Sequence, residues 1–150
     1  MTARATAGAA RACDRAAASG HRLVDLPRYA DPRGSLAVIE SGREVGFLAR
    51  RVYFMYGAGA GSARGTHAHR KLEQLIVAIQ GSFDITLDNG RGVCAHRLDS
   101  PTRALYLGPM VWRNMTNFTP DSLCFVLASE RYDDADYIRD YDEFVQELRG

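Results

Sequence analysis

The chain has 150 residues, of which 46% are hydrophobic and 25% are charged. This composition is typical of one folded domain and excludes a disordered, collagen-like or coiled-coil chain. The 19 basic residues nearly balance the 18 acidic ones, which argues against an electrostatic nucleic-acid binder. No apolar run reaches the roughly 18 residues that span a bilayer, so we expect no membrane partner.

The three cysteines, Cys13, Cys94 and Cys124, are an odd number at wide spacings. They form neither a disulfide framework nor a zinc-binding CxxC pattern. We therefore expect reduced thiols and a cytoplasmic location. Residues 1–20 are rich in alanine and arginine, and no amphipathic periodicity is sustained along them. We expect a flexible leader over residues 1–20 and a single folded domain over residues 21–150.

From His21 onwards the chain is predicted to form a series of short strands separated by turn residues. The predicted strands cover residues 21–26, 35–40, 47–56, 72–80, 82–88, 93–98, 104–107 and 123–129. Within 82–88, apolar and polar residues alternate, as in a half-exposed strand. The last strand is continuously apolar, which predicts burial on both of its faces.

Only the C-terminal end has a helical pattern. Residues 133–136 are acidic and suit a helix start. Tyr137, Tyr141, Phe144 and Leu148 follow at spacings of four, three and four, which predicts an apolar helix stripe. Short strands followed by one terminal helix indicate a β-sandwich or barrel.

The strongest chemical signal is the segment Arg64-Gly65-Thr66-His67-Ala68-His69. In a strand, residues two apart project from the same face, so the two imidazoles lie side by side. With Gly61, Glu73 and Gly81, the spacing resembles the first metal-binding motif of the cupin superfamily.

The second half of a metal site is missing, because residues 108–114 contain no histidine. Asn114 is a poor ligand for zinc, iron or copper, and Arg113 brings a permanent positive charge. We therefore expect no metal. Paired histidines still suit proton transfer near neutral pH, although both could instead be structural.

Several motifs in order resemble those of the nucleotide-sugar 3,4-ketoisomerases, small cupins that act on dTDP-4-dehydro-6-deoxyglucose. Residues 64–70 resemble the RGxHAHK signature of that family, and residues 31–36 with Glu40 resemble its opening DxRGxL…E. Residues 51–53 resemble its KRVYY strand, and residues 109–112 match its PxxW turn. Residues 128–144 resemble its closing ASxxYDExDYIRxYxxF. The resemblance covers residues 22–148.

This resemblance implies a cupin jelly roll, a double-stranded β-helix with a C-terminal α-helix. It also implies an isomerase of deoxysugar biosynthesis, without a cofactor, that forms a homodimer. In the reaction of this family, a base removes the C3 proton of the 4-keto sugar and an enediol forms. A proton then returns to C4, which leaves the ketone at C3. By analogy His69 is the base at carbon and His67 handles the oxygens, although the two assignments could be reversed.

The other site residues implied by the resemblance bind the substrate. The Tyr53 hydroxyl is a candidate to orient the O3/O4 edge in catalysis, unless Tyr53 is an ordinary strand aromatic. Arg51 and Arg64 are candidates for the diphosphate, or else solvated surface arginines. Trp112 lines the sugar pocket or fills the core, and Arg113 can hold a substrate oxygen. In that family the residue after the PxxW tryptophan tends to be arginine in gluco-forming members and histidine in galacto-forming ones. Arg113 therefore favours the gluco product.

Two alternative functions remain open from the sequence. A metal-dependent cupin enzyme would need a third ligand, which the sequence does not supply. A non-catalytic sugar-binding cupin would need no acid–base pair, so His67 and His69 argue against it.

Overall fold

The structure is a computed structural model that describes residues 20–150. The leader predicted over residues 1–20 lies outside the described residues, apart from Gly20. The described part of the chain contains twelve strands, one short 3₁₀ turn and one α-helix. The strands are β1 (His21–Asp25), β2 (Arg28–Asp31), β3 (Gly34–Ala37), β4 (Arg51–Tyr56), β5 (Arg64–His69), β6 (Gln74–Gln80), β7 (Phe83–Asp88), β8 (Val93–Leu98), β9 (Arg103–Leu107), β10 (Trp112–Thr116), β11 (Leu123–Ala128) and β12 (Tyr137–Ile138); the helix is α1 (Tyr141–Arg149).

Two five-stranded antiparallel sheets form a jelly roll. The first has the strand order β1-β9-β6-β11-β4 and the second has β12-β5-β10-β7-β8. Strands β2 and β3 form a separate hairpin in which every residue is exposed. Inward-facing side chains from both sheets make one apolar core, with members that include Ile76, Phe83, Ile85, Leu105, Leu107, Met115 and Val126. This architecture confirms the predicted all-β cupin fold with a C-terminal helix.

Side-chain alternation is confirmed in β7, where Phe83, Ile85 and Leu87 are buried and the residues between them are half-buried. The prediction that the last strand is buried on both faces is wrong. In β11 the residues alternate between buried and half-buried, because only one face of this strand is turned towards the other sheet. The strand predicted to begin at residue 47 begins at Arg51 instead.

The C-terminal segment differs most from its prediction. The acidic residues form only a 3₁₀ turn over Asp134–Asp136, because the next two residues pair with β5 and stay extended as β12. Helix α1 starts later, where the side chain of Asp140 accepts a hydrogen bond from the Glu143 N–H. Its buried Phe144 packs with Ala68 and Ile138. No helix among residues 20–150 is long and apolar enough to cross a membrane.

The two cysteines of the described chain differ in state. Cys124 is a free, buried thiol, and burial raises its pKa to about 12. Cys94 is disulfide-bonded, so the expectation of reduced thiols is wrong for Cys94 in this structure. Cys13 lies outside the described residues.

Candidate active site

Strand β5 carries both histidines and lies between β10 and β12. His67 and His69 project from the same face, and their ring centroids are 4.7 Å apart with the rings at 90°. A bulge precedes them, because Arg113 is opposite His67 whereas Met115 is opposite Arg64. The extra residue in β5 re-aims the start of the strand. Gly65 occupies the bulge with φ +66°, a conformation that L side chains rarely adopt.

The two imidazoles are hydrogen-bonded to each other and to a carboxylate. Nε2 of His67 lies 3.0 Å from Nε2 of His69, and Nδ1 of His69 lies 3.0 Å from Oδ2 of Asp136. The Asp136 carboxylate is fixed in turn by the backbone N–H groups of Lys71 and Leu72, at 2.7 and 3.3 Å. His69 is only 1% exposed, so this chain of contacts is held rigidly.

The hydrogen-bond partners determine where the protons sit. A carboxylate only accepts, so Nδ1 of His69 carries the hydrogen that Asp136 accepts. In a neutral ring Nε2 of His69 then has a lone pair, and the Nε2–H of His67 donates to it. The Nε2 lone pair of His69 is the one best suited to act as a base. Before substrate enters, it therefore accepts a hydrogen bond from His67.

Burial keeps both imidazoles neutral. Loss of water contact, followed by the positive charge of Arg113, lowers the pKa of His67 and of His69 to about 3. The Asp136 carboxylate beside His69 acts in the opposite direction, since it favours the imidazolium. At neutral pH both rings are therefore uncharged.

A second fixed network joins Arg113, Gln74 and Tyr53. Arg113 is fully buried and donates to Oε1 of Gln74. Burial lowers the pKa of Arg113 to about 10, so it remains a cation at neutral pH. Because arginine can only donate, Gln74 must turn its amide nitrogen to Tyr53, whose oxygen lies 2.6 Å away.

This network leaves the Tyr53 hydroxyl ready to donate. Burial raises the pKa of Tyr53 to about 12, so the phenol keeps its proton at neutral pH. Its oxygen already accepts from Gln74, and the O–H is therefore directed elsewhere.

These groups surround a cavity of about 300 Å³ between the two sheets, at the lower end of the range for small-molecule sites. The lining includes Arg51, Tyr53, Arg64, His67, Gln74, Arg113 and Tyr137. A larger groove of about 650 Å³ is lined by Asp136 but by neither histidine. We place the site in the smaller cavity, because His67 and Tyr53 line it. His69 is not among the lining residues and is connected to the cavity through its hydrogen bond to His67.

The two candidate diphosphate-binding arginines both line this cavity. Arg51 and Arg64 are the first residues of β4 and β5. The guanidinium of Arg51 lies over the Tyr53 ring, 5.4 Å from its centroid, and its Nε is buried without a partner among the described residues. The cavity therefore offers donors that the protein itself leaves unused.

The expectation that Trp112 lines the sugar pocket is corrected by the structure. Trp112 and Arg113 are neighbours in β10, so they face opposite sides of the sheet. Arg113 lines the cavity, whereas Trp112 packs on α1, with ring centroids 5.3 Å from Tyr141 and 5.7 Å from Phe144. Glu73, the acidic residue of the cupin-like spacing, accepts a hydrogen bond from the Tyr106 hydroxyl at 2.6 Å.

Sequence reasoning missed three residues of the site. Gln74 and Asp136 complete the two networks, and the Tyr137 ring lies against both histidines, 4.9 and 4.3 Å between centroids. Asp136 and Tyr137 belong to the closing motif that carried the family resemblance. Their place in that motif was the signal that could have identified them.

The jelly-roll fold and the buried histidine pair beside its cavity are those of a cupin-type enzyme. The family model described as "FdtA: WxcM-like, C-terminal" matches residues 19–149. The TDP-4-oxo-6-deoxy-alpha-D-glucose-3,4-oxoisomerase of Aneurinibacillus thermoaerophilus is 42% identical over 124 residues, which is 83% of this chain and 89% of that protein. The chain belongs to this family of sugar-nucleotide 3,4-ketoisomerases, which confirms the resemblance read from its motifs.

Two solved structures agree with this assignment. The TDP-quinovose 3,4-ketoisomerase WlaRB of Campylobacter jejuni is 40% identical with a TM-score of 0.83, covering 85% of this chain and 98% of that one. A variant of the 3,4-ketoisomerase QdtA of Thermoanaerobacterium thermosaccharolyticum, in complex with TDP-4-keto-6-deoxyglucose, is 36% identical. Its TM-score is 0.85, and the match covers 87% of this chain and 95% of that one.

Proposed function

We propose that the chain converts dTDP-4-dehydro-6-deoxy-D-glucose into the 3-dehydro sugar without a metal or redox cofactor. The observation that carries this proposal is the hydrogen-bonded set His67, His69 and Asp136 at a cavity with an unused tyrosine hydroxyl. The reaction moves two protons and changes no overall oxidation state. It therefore needs a positioned base and acid, and this set supplies both.

The first step removes the C3 proton, which the neighbouring C4 carbonyl acidifies. In the free protein the Nε2–H of His67 donates to His69. When substrate enters, His67 turns this N–H to a substrate oxygen, which frees the Nε2 lone pair of His69 for the C3 proton. Asp136 stabilises the imidazolium that forms, because its carboxylate accepts from the opposite nitrogen.

The enediol then forms a ketone at C3 in place of the ketone at C4. His67 gives its Nε2 proton to O4 and takes the O3 proton in return as the C3 carbonyl forms, and the proton held on His69 is delivered to C4. The Tyr53 hydroxyl donates to the O3/O4 edge while negative charge resides there. The buried cation of Arg113, connected through Gln74, favours that charge.

The diphosphate lies at the arginine side of the cavity in this proposal. Arg51 and Arg64 offer guanidinium donors that suit phosphate oxygens. A cavity of about 300 Å³ suits the sugar end of the substrate, with the nucleotide extending outwards.

Metal independence is supported by the donor set. Glu73 donates no oxygen to the histidine pair, because it is engaged with Tyr106. Nε2 of each histidine is directed at the other ring, and the Arg113 cation faces the same cavity. Turnover after thorough chelation supports this part of the proposal. Loss of turnover that one divalent ion restores contradicts it.

The reaction itself is tested by incubating the purified protein with dTDP-4-dehydro-6-deoxyglucose and following the sugar by NMR. In ²H₂O, formation of the 3-dehydro sugar should be accompanied by deuterium at C4 to the extent that the proton on His69 exchanges with solvent before it reaches C4. Binding of the substrate without any exchange at C3 would instead indicate a non-catalytic sugar-binding protein.

We also propose a gluco configuration at C4. Arg113 stays charged and is a poor proton donor to carbon, so protonation is left to the histidine face of the ring. The 40% identical relative is a TDP-quinovose ketoisomerase, and quinovose is 6-deoxyglucose. This relationship supports the gluco product.

A homodimer completes the proposal. Within residues 20–150, strand β4 is an edge strand that pairs only with β11. Its outward residues Val52, Phe54 and Tyr56 are exposed, Phe54 by 58%. Exposed apolar edges are typical of interfaces, and β4 is apolar enough to take a second copy. Light scattering should give the dimer mass for wild type and a smaller mass for Phe54→Lys. A monomeric wild type would contradict this proposal.

A further inference from the structure

A second cluster of metal-ligating side chains lies outside the cavity. His21 begins β1, at the edge of the first sheet, and Cys94 and His96 lie on β8, at the edge of the second sheet. Cys94 and His96 are two residues apart, so both project from the same face of β8. None of the three lines the catalytic cavity.

The three side chains are already close to the spacing of a metal site. One ligand atom from each residue lies within 4.8 Å of the others, and the Sγ of Cys94 lies 3.4 Å from Nε2 of His96. In a tetrahedral zinc site, bonds of about 2.0–2.3 Å place two ligand atoms about 3.3–3.6 Å apart. The Cys94–His96 pair has this separation, and His21 needs to move by about 1 Å.

His21 shows that the cluster is incomplete. It is only 4% exposed, yet neither ring nitrogen has a hydrogen-bond partner among the described residues. Buried polar groups are nearly always paired. Its ring faces His96 edge-on, with 5.6 Å between centroids. A buried imidazole aimed at another imidazole and a sulfur is arranged as a ligand rather than as core.

Cys94 is disulfide-bonded in this structure, so the sulfur becomes a ligand only after reduction. A cellular dithiol supplies the two electrons and two protons that turn the disulfide into two thiols, and is itself oxidised to a disulfide. Cys94 then loses its thiol proton as the metal binds. In the cytoplasm, thiols are kept reduced.

We propose that His21, Cys94 and His96, with Cys94 in its reduced form, bind one Zn²⁺ that joins the edges of the two sheets. Two imidazoles and one thiolate suit zinc, with water as the fourth ligand. Arg103 lies near His96, and the thiolate charge offsets its repulsion of the metal.

The test uses Co²⁺ as a spectroscopic probe on the full-length protein, reduced with a phosphine. One equivalent should give a thiolate charge-transfer band, and Zn²⁺ should displace it. Cys94→Ser and His96→Ala should lose the band and weaken binding by about 100-fold or more. The oxidised protein should show no band. Zinc should raise the Tm of the wild type but not the Tm of His96→Ala. This comparison still tests the site if a His21 variant fails to fold.

Two matched controls separate this site from other sources of ligands. Cys124→Ala removes the free thiol of the core, and His67→Asn removes one imidazole of the catalytic pair. Both should keep the band. A reduced wild type that binds less than one equivalent, a band that survives in Cys94→Ser, or a band lost in either control overturns the proposal.

Discussion

The carboxylate of Asp136 lies 3.0 Å from Nδ1 of His69, although the two residues are 67 positions apart in the chain. Strand β12 creates this contact, because Tyr137 pairs with His69 and Ile138 pairs with Ala68. The pairing of β12 with β5 therefore places the Asp136 carboxylate at Nδ1 of His69. Asp136 acts through His69 and is a positioning residue.

Asp136→Asn should lower kcat by about 10²-fold or more, within the range of a lost acid–base contribution. An amide cannot stabilise the imidazolium, and it can present the wrong tautomer to His69. KM should change little, because Asp136 does not line the cavity. Steady-state kinetics with a melting curve measures both effects.

Asp134→Asn is the matched control. Asp134 is a neighbouring carboxylate on the same 3₁₀ turn, with an exposed ion pair to Arg139 at 2.9 Å. It should keep wild-type kcat. Equal losses in both variants would assign the effect to the turn and not to the His69 contact.

His69→Asn should nearly abolish isomerisation with the fold retained. A general base contributes about 10² to 10⁴ in rate, and His69 is the imidazole that Asp136 supports. His67→Asn should lose the oxygen contacts instead, while still allowing exchange of the C3 proton with solvent deuterium. Exchange in His67→Asn with none in His69→Asn supports the assignment, and the opposite pattern reverses the two roles.

Local patterns predicted the parts of the molecule that depend on neighbours in sequence. The side-by-side histidines follow from a spacing of two in a strand, and the alternation of β7 follows from its polar and apolar residues. The continuous apolar run of β11 was misread, because apolar residues also occupy the half-buried outer face of its sheet.

Residues that depend on strand pairing could not be found from local patterns. Gln74 reaches Arg113 across the two sheets, and Asp136 reaches His69 only after β12 has paired with β5. The place of Trp112 was left open between pocket and core for the same reason, since the strand containing it was not predicted. Without the register of β10, nothing in the sequence decides whether Trp112 or Arg113 faces the cavity.

Tyr53→Phe should reduce kcat by about 10²-fold, because the phenol is the donor that the Gln74 network leaves free for substrate. Stability should fall only slightly, since one hydrogen bond contributes about 0.5–1.5 kcal/mol. Kinetics and denaturant unfolding of the same preparation measure the two quantities. A variant with wild-type kcat would assign the oxygen contact to another donor.

The acid limb of kcat/KM should lie well below pH 6.5. Burial and Arg113 lower the pKa of both histidines to about 3 in the free protein, and the neutral pair is the active form. Activity is therefore retained as the pH falls below 6.5 and lost only closer to the lowered pKa values. The neutral form also contributes stability, which is fully present above pH 6.5 and lost towards pH 3. A midpoint at or above 6.5 contradicts this prediction.

The product should have the gluco configuration at C4. The enediol is planar and can be protonated on either face, so the position of the acid decides the outcome. His67 lines the cavity and is hydrogen-bonded to His69. Arg113, with its pKa lowered only to about 10, remains charged, is already engaged with Gln74 and holds its hydrogens too tightly to protonate carbon.

The coupling between H4 and H5 in the fresh product measures this configuration. A large axial–axial coupling supports the gluco sugar, and a small coupling indicates the galacto sugar. Arg113→His replaces the permanently charged guanidinium at the cavity with a group that can titrate near neutral pH. The variant should therefore release a detectable galacto fraction that the wild type does not. Galacto product from the wild type at the earliest time point contradicts the argument, because Arg113 would then not have prevented protonation on the galacto-forming face.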